Sequence, residues 1–192
     1  MRYIITALLF TLISYTAKAQ ILIGAKGGLN VSSLGTGSIY KPRLGYNAGF
    51  FYSQHLEDQY GWQFELQYSL QGARDGSATN GRLAYHYLAI PVVMKLYFKE
   101  STYAEVGPQV AYLIGAKYKE QGYTADRSSG VSKWDLLGLI GFGYETDSGT
   151  AMGLRFGVGF LNTSGASVGN SVVFRNLILQ AHVGIKLKDI NY

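Results

Sequence analysis

From Trp62 to Gln71 the chain reads W-Q-F-E-L-Q-Y-S-L-Q, with a large apolar residue at every even position and a polar one at every odd position. A strict period of two is the signature of a β-strand with one greasy face and one wet face. A tilted strand needs about 9–11 residues to cross a bilayer, and this stretch has that length. The same reading predicts eight strands, over 21–30, 44–56, 60–72, 85–98, 102–115, 134–145, 150–162 and 174–187. In 134–145 the alternation is blurred, because Leu136 and Leu137 fall on opposite faces. Pro91 and Pro108 lie inside strands, where each removes a ladder donor, and they are expected to mark bulges or local weakness.

Connection lengths alternate. Residues 57–59, 99–101 and 146–149 form short polar turns, while 31–43, 73–84, 116–133 and 163–173 are long and rich in Gly, Ser, Thr or charge. Short turns and both chain ends fall on one side, long loops on the other. An even strand count with loops sorted in this way is the pattern of outer-membrane barrels. The expected fold is therefore all-β: an eight-stranded antiparallel up-and-down transmembrane β-barrel with short periplasmic turns and longer external loops. The apolar faces carry almost no charge, as a bilayer would enforce, since a lipid-facing Lys or Arg at the midplane costs about 2–4 kcal/mol.

Composition supports this reading. Only 15% of residues are charged, against about 25% in soluble domains, and 16 Tyr with 25 Gly suit aromatic girdles around a crowded interior. Met1–Tyr3 supplies a positive charge, an apolar stretch follows over 4–15, and Ala17-Lys18-Ala19 has the small-x-small form of a cleavage site. Residues 1–19 read as a signal peptide and 20–192 as the barrel domain. Losing Arg2 and Lys18 takes the formal charge from +5 to +3, too mild a balance to point to nucleic acid. The chain has no Cys, which excludes disulfides, thiolate-ligated metal and a lipidation cysteine.

Candidate chemistry sits on the polar faces. Measured from the short turns, Glu65, Lys95, Glu105 and Arg155 lie at similar depths and point inward, with His182 and Lys186 as possible neighbours and Glu65 expected near Lys95. An eight-stranded barrel has room only for side chains, so these residues are expected to form a neutralising salt-bridge network that fills the lumen. A proton or ion path is the sharper alternative. No catalytic set, cofactor motif or His pair with metal-ligand spacing is present, and Gly27-Gly28 precede no helix, which leaves them a packing role. His55 is expected to face solvent near a short turn, and His86 to face lipid near an external strand end. In loop 116–133, Lys117, Lys119, Arg127 and Lys133 outweigh Glu120 and Asp126, so contact with lipopolysaccharide phosphates or a partner is one reading and a solvated loop the other.

Six segments resemble the PorT-like outer-membrane β-barrel family of Bacteroidetes: GAKGGLNVS over 24–32, GYNAGFFY over 45–52, FELQYSLQG over 64–72, YLAIPVVMKLYF over 87–98, YAEVGPQVAYL over 103–113 and GLRFGVGFL over 153–161. The resemblance implies a barrel in a Gram-negative outer membrane and, for some relatives, a part in type IX protein secretion. It supplies no catalytic residues. The expected role is structural or partner-binding in the envelope. The partners are outer-membrane lipid and lipopolysaccharide, with other envelope or secretion proteins beside a monomeric barrel. Two alternatives stay open: a soluble periplasmic lipocalin-like barrel holding an apolar ligand with its greasy faces inward, and a lipid-modifying enzyme using His86.

Overall fold

A computed structural model describes residues 20–35, 40–57, 59–75, 81–98, 101–120, 123–146, 148–162 and 175–190. The expected signal peptide, residues 1–19, lies outside them. The strands are β1 (Gln20–Leu34), β2 (Tyr40–Glu57), β3 (Tyr60–Asp75), β4 (Arg82–Tyr97), β5 (Thr102–Glu120), β6 (Tyr123–Asp126), β7 (Trp134–Glu145), β8 (Thr150–Gly159) and β9 (Asn176–Ile190). Each pairs antiparallel with its neighbour in the order β4-β3-β2-β1-β9-β8-β7-β5, and β4 then pairs with β5. The sheet closes on itself as a ring of eight strands, with β6 outside it.

The register fixes the tilt. Following paired residues once round the ring leads from Ile21 through Gln54, Trp62, Met94, Val106, Ile140, Phe156 and Leu179 back to β1 at Val31, ten residues further on. A stagger of ten over eight strands inclines them by roughly 40° to the axis and leaves an interior that side chains alone can fill.

The two faces then sort as the alternation requires. Phe50 is 64% exposed, Phe142 63% and Leu154 58%, whereas Glu65, Glu105 and Arg155 are buried at 3% or less. A greasy outside and a polar inside invert a water-soluble domain, and this overturns the lipocalin-like alternative, which needs the apolar faces inward. On the outer wall Tyr52, Tyr60, Trp62, Phe64 and Tyr144 ring the short-turn end. Tyr46, Tyr68, Tyr112 and Trp134 ring the long-loop end, Tyr112 stacking edge-on to Trp134 with centroids 4.9 Å apart. The described outward-facing residues between these belts include no Lys, Arg, Asp or Glu. Leu136 faces out and Leu137 and Leu139 face in, which resolves the blurred strand.

Pro91 and Pro108 do not make bulges. The β3–β4 register is the same on both sides of Pro91, and the β4–β5 register is unchanged across Pro108, although the ladder is thinned at both places. The register shifts lie elsewhere, at Ile23/Gly24, Pro42/Asn47, His55/Glu57 and His86/Tyr87. The missing donor costs one rung; it does not insert a residue. Residues 116–120, expected as loop, continue β5, and the chain folds back on them as β6. The last strand runs to Ile190, past the expected end at 187.

Candidate functional site

The chemistry-bearing residues meet in the middle of the lumen around Arg155 of β8. Its Nε and Nη2 donate to the two oxygens of Glu105 at 2.7 and 2.9 Å. Its Nη1 and Nη2 donate to Glu65 at 3.1 and 2.8 Å. Lys26 Nζ donates to both oxygens of Glu65 at 2.8 and 3.0 Å, and Gln63 Nε2 adds a bond of 2.6 Å. The cluster holds two cations and two carboxylates and is neutral. Bidentate guanidinium–carboxylate geometry of this kind offsets much of the cost of burying the charges.

Glycines on the intervening strands let these side chains meet. Gly141 of β7 stands between Glu105 and Arg155 in register, and a Cβ there would lie 2.7 Å from Glu105 Oε1 and 2.8 Å from the Leu154 carbonyl. Gly49 of β2 separates Lys26 from Gln67 in the same way, so the lysine crosses a flat strand to reach Glu65.

Lys95 is not near Glu65 as expected. Its Nζ bonds Glu145 at 3.3 Å and lies 4.3 Å from the centre of the Tyr103 ring, with Tyr97 OH also donating to Glu145 at 3.1 Å. Its neighbour on β3 is Gly61, four residues from Glu65. Counting from the turns misjudged the depth of Glu65. Lys186 bonds Asp189 at 2.6 Å near the short-turn end, apart from the central cluster. His182 is buried and packs on Gly153, its partner on β8. His55, expected in solvent, is half-buried inside the short-turn mouth with its ring 5.0 Å from that of Tyr97. Odd-numbered positions of β2 face inward at this end, as Phe51 and Ser53 do.

Sequence reasoning missed Lys26 and Glu145. Lys26 was legible, since Gly24, Lys26, Gly28 and Asn30 alternate against Ile23, Ala25, Gly27 and Leu29. Toward the long loops a second rung is purely polar. Asn47 donates to Asn30 at 2.6 Å, Asn30 and Gln71 each donate to Ser69 at 2.9 Å, and Asn176 joins Gln71 to Asp135. Tyr85, Tyr87, Leu113, Leu137, Leu139 and Ile178 fill the space around it.

These side chains fill the middle of the described interior. Among the described residues no group of three or more His, Cys, Asp or Glu could hold a metal. His86 is on the outer wall as expected, its Nδ1 2.5 Å from the Tyr68 hydroxyl. Gly28 serves close packing, since a Cβ there would lie 2.1 Å from the Ala181 carbonyl.

Comparison with solved structures places this architecture among small outer-membrane barrels. The neisserial surface protein NspA superposes with a TM-score of 0.57 at 13% identity, covering 89% of this chain and 98% of that one. Ail, the attachment invasion locus protein of Yersinia pestis, solved with the heparin analogue sucrose octasulfate, superposes with a TM-score of 0.52 at 13% identity, covering 89% and 100%. At such identity the likeness concerns the fold alone. Comparison with curated protein sequences found no match. The family model described as outer membrane protein beta-barrel domain matches residues 16–165. The chain belongs to that family and is a protein of the cell outer membrane.

Proposed function

We propose that this barrel is a non-catalytic envelope protein that binds another envelope protein at its long-loop end, and that the partner belongs to the type IX secretion machinery. The observation that supports this is the filled lumen: Arg155, Glu65, Glu105 and Lys26 pair with one another across the middle of the barrel, which leaves the described interior to side chains. What remains for recognition is the rim, where β5 stands beyond the ring and carries β6. The PorT-like resemblance supplies the class of partner.

A photo-crosslinking residue at Tyr123 of β6, 68% exposed, tests this in intact cells. Discrete adducts with an envelope protein are expected from that position and not from Lys188 at the opposite end. Deletion of the gene should block export of a reporter carrying a C-terminal sorting domain. Intact export would remove the secretion assignment, and absence of any adduct would remove the partner-binding reading. His86→Ala should leave lipid A unchanged by mass spectrometry, because the Tyr68 hydroxyl is the hydrogen-bond partner described for that ring; altered lipid A would restore the enzyme alternative.

A further inference from the structure

At the long-loop end, four basic residues stand directly opposite one another across four strands. Lys41 pairs with Arg74, Arg74 with Arg82, and Arg82 with Lys119. All four are exposed. They lie on the outer wall, because their neighbours Ala73 and Leu83 turn inward to the core. A second tier lies one step toward the membrane. Gly72 pairs with Ala84 and Ala84 with Lys117. Two small residues there leave a shallow dip, and the half-buried Arg43 lies across it, its Nη1 donating to the carbonyls of Gln71 and Leu83 at 2.9 and 3.2 Å. Directly below come Tyr46, Tyr68 and His86 of the aromatic belt.

Like charges directly opposite on a sheet repel, and this patch gathers six cations. Asp126 opposes Lys117 across the β5–β6 pair; bonds to the Ser128 side chain and backbone N–H hold its carboxyl below the usual value, so it is ionised at neutral pH. Glu120 is engaged by the Tyr118 hydroxyl at 2.8 Å. Among the described side chains two carboxylates, Asp126 and Glu120, stand beside six cations, which leaves an excess of positive charge and a need for an anion. The patch faces sideways along the wall, immediately above the belt that marks the membrane interface. Its anion therefore comes from the leaflet.

We propose that the outer wall of β2–β5 at the long-loop end is a binding seat for the phosphorylated headgroup of an outer-leaflet glycolipid, gripped by the Lys41–Arg74–Arg82–Lys119 row and by Arg43. Phosphate esters accept several charge-assisted bonds at once and suit a cluster of guanidinium groups. The proposal depends on the outer-membrane location and is independent of any secretion partner.

The test uses the full chain, purified and inserted in nanodiscs containing either phosphorylated lipid A or the same lipid A with its phosphates removed. Native mass spectrometry and salt titration read retained lipid. Preferential, salt-sensitive retention of the phosphorylated form is expected. Arg74→Gln/Arg82→Gln/Lys119→Gln should weaken it by about a hundredfold, since each cation beside an anionic headgroup layer contributes roughly fivefold. The control Lys133→Gln/Arg175→Gln/Lys188→Gln, which removes the same charge elsewhere, should change retention less than threefold. Heat-modifiable migration on gels verifies that both variants fold. Equal retention of the two lipids, or equal loss in both variants, would overturn the seat. Full displacement by millimolar inorganic phosphate would assign the patch to a free anion. Stronger binding of a soluble sulfated oligosaccharide than of lipid A would assign it to an extracellular polyanion.

Discussion

Glu65 accepts hydrogen bonds from Arg155, Lys26 and Gln63 at once, while Glu105 depends on Arg155 alone among the hydrogen bonds described for it. That asymmetry makes Arg155 the costliest residue to remove. Arg155→Gln strands a second carboxylate beside Glu65 in the interior, and breaking a buried pair of this kind costs about 3–5 kcal/mol. Lys26→Gln leaves Glu65 with its guanidinium and should cost less than half as much. Urea unfolding of both variants in phospholipid vesicles measures the difference, and equal losses would mean that the two cations are interchangeable. Gly141→Ala tests the same cluster from the neighbouring strand. Its Cβ would press on both Glu105 and the Leu154 carbonyl, so destabilisation without any change in charge is expected in the same assay. The inward direction of Glu65, Glu105 and Arg155 could be read from parity. Their choice of partners could not, because partners are set by the stagger of tilted strands.

At the scale of the strand, the period of two carried most of the architecture. It assigned an outward face to Phe64, Leu66, Leu154 and Phe156, and all four are exposed. Strand ends were less legible: β5 runs on to Glu120 because Lys117 and Lys119 still alternate with Ala116 and Tyr118, a polar continuation that reads as loop when hydrophobicity alone is followed. The charge row was hidden for a related reason. Lys41, Arg74, Arg82 and Lys119 are far apart in the chain, and only the register lines them up. The lipid-facing assignment predicts a depth-dependent penalty. Leu154→Arg, on the mid-wall of β8, should cost about 2–4 kcal/mol, whereas Leu187→Arg near the short-turn end should cost about 0–1 kcal/mol. Vesicle unfolding measures both, and equal penalties would mean that the apolar band does not mark the bilayer. Among the described strands the β6 segment pairs with β5 alone and lies outside the closed ring. Replacing residues 121–126 with a short turn should therefore leave the heat-modifiable mobility of the barrel intact.

For the whole molecule, a ring of eight strands staggered by ten residues leaves a lumen that side chains close by volume. Charge and volume are separable causes of that closure. If the charges act as an electrostatic gate, neutralising them should open a path. If they act as filling, apolar residues of similar size should keep the barrel shut. The geometry favours filling, because every charge of the central cluster is consumed by a partner inside it. Lys26→Met/Glu65→Leu/Glu105→Leu/Arg155→Met should therefore remain closed to ions in planar bilayers. It should also equal or exceed the parent in stability, since well-packed apolar replacements of buried ion networks are often neutral or stabilising by about 1–4 kcal/mol. The same four positions changed to Ala remove the bulk and should give measurable conductance where the parent gives none. Conductance in the Met/Leu variant together with silence in the parent would reverse the assignment and make the cluster a gate.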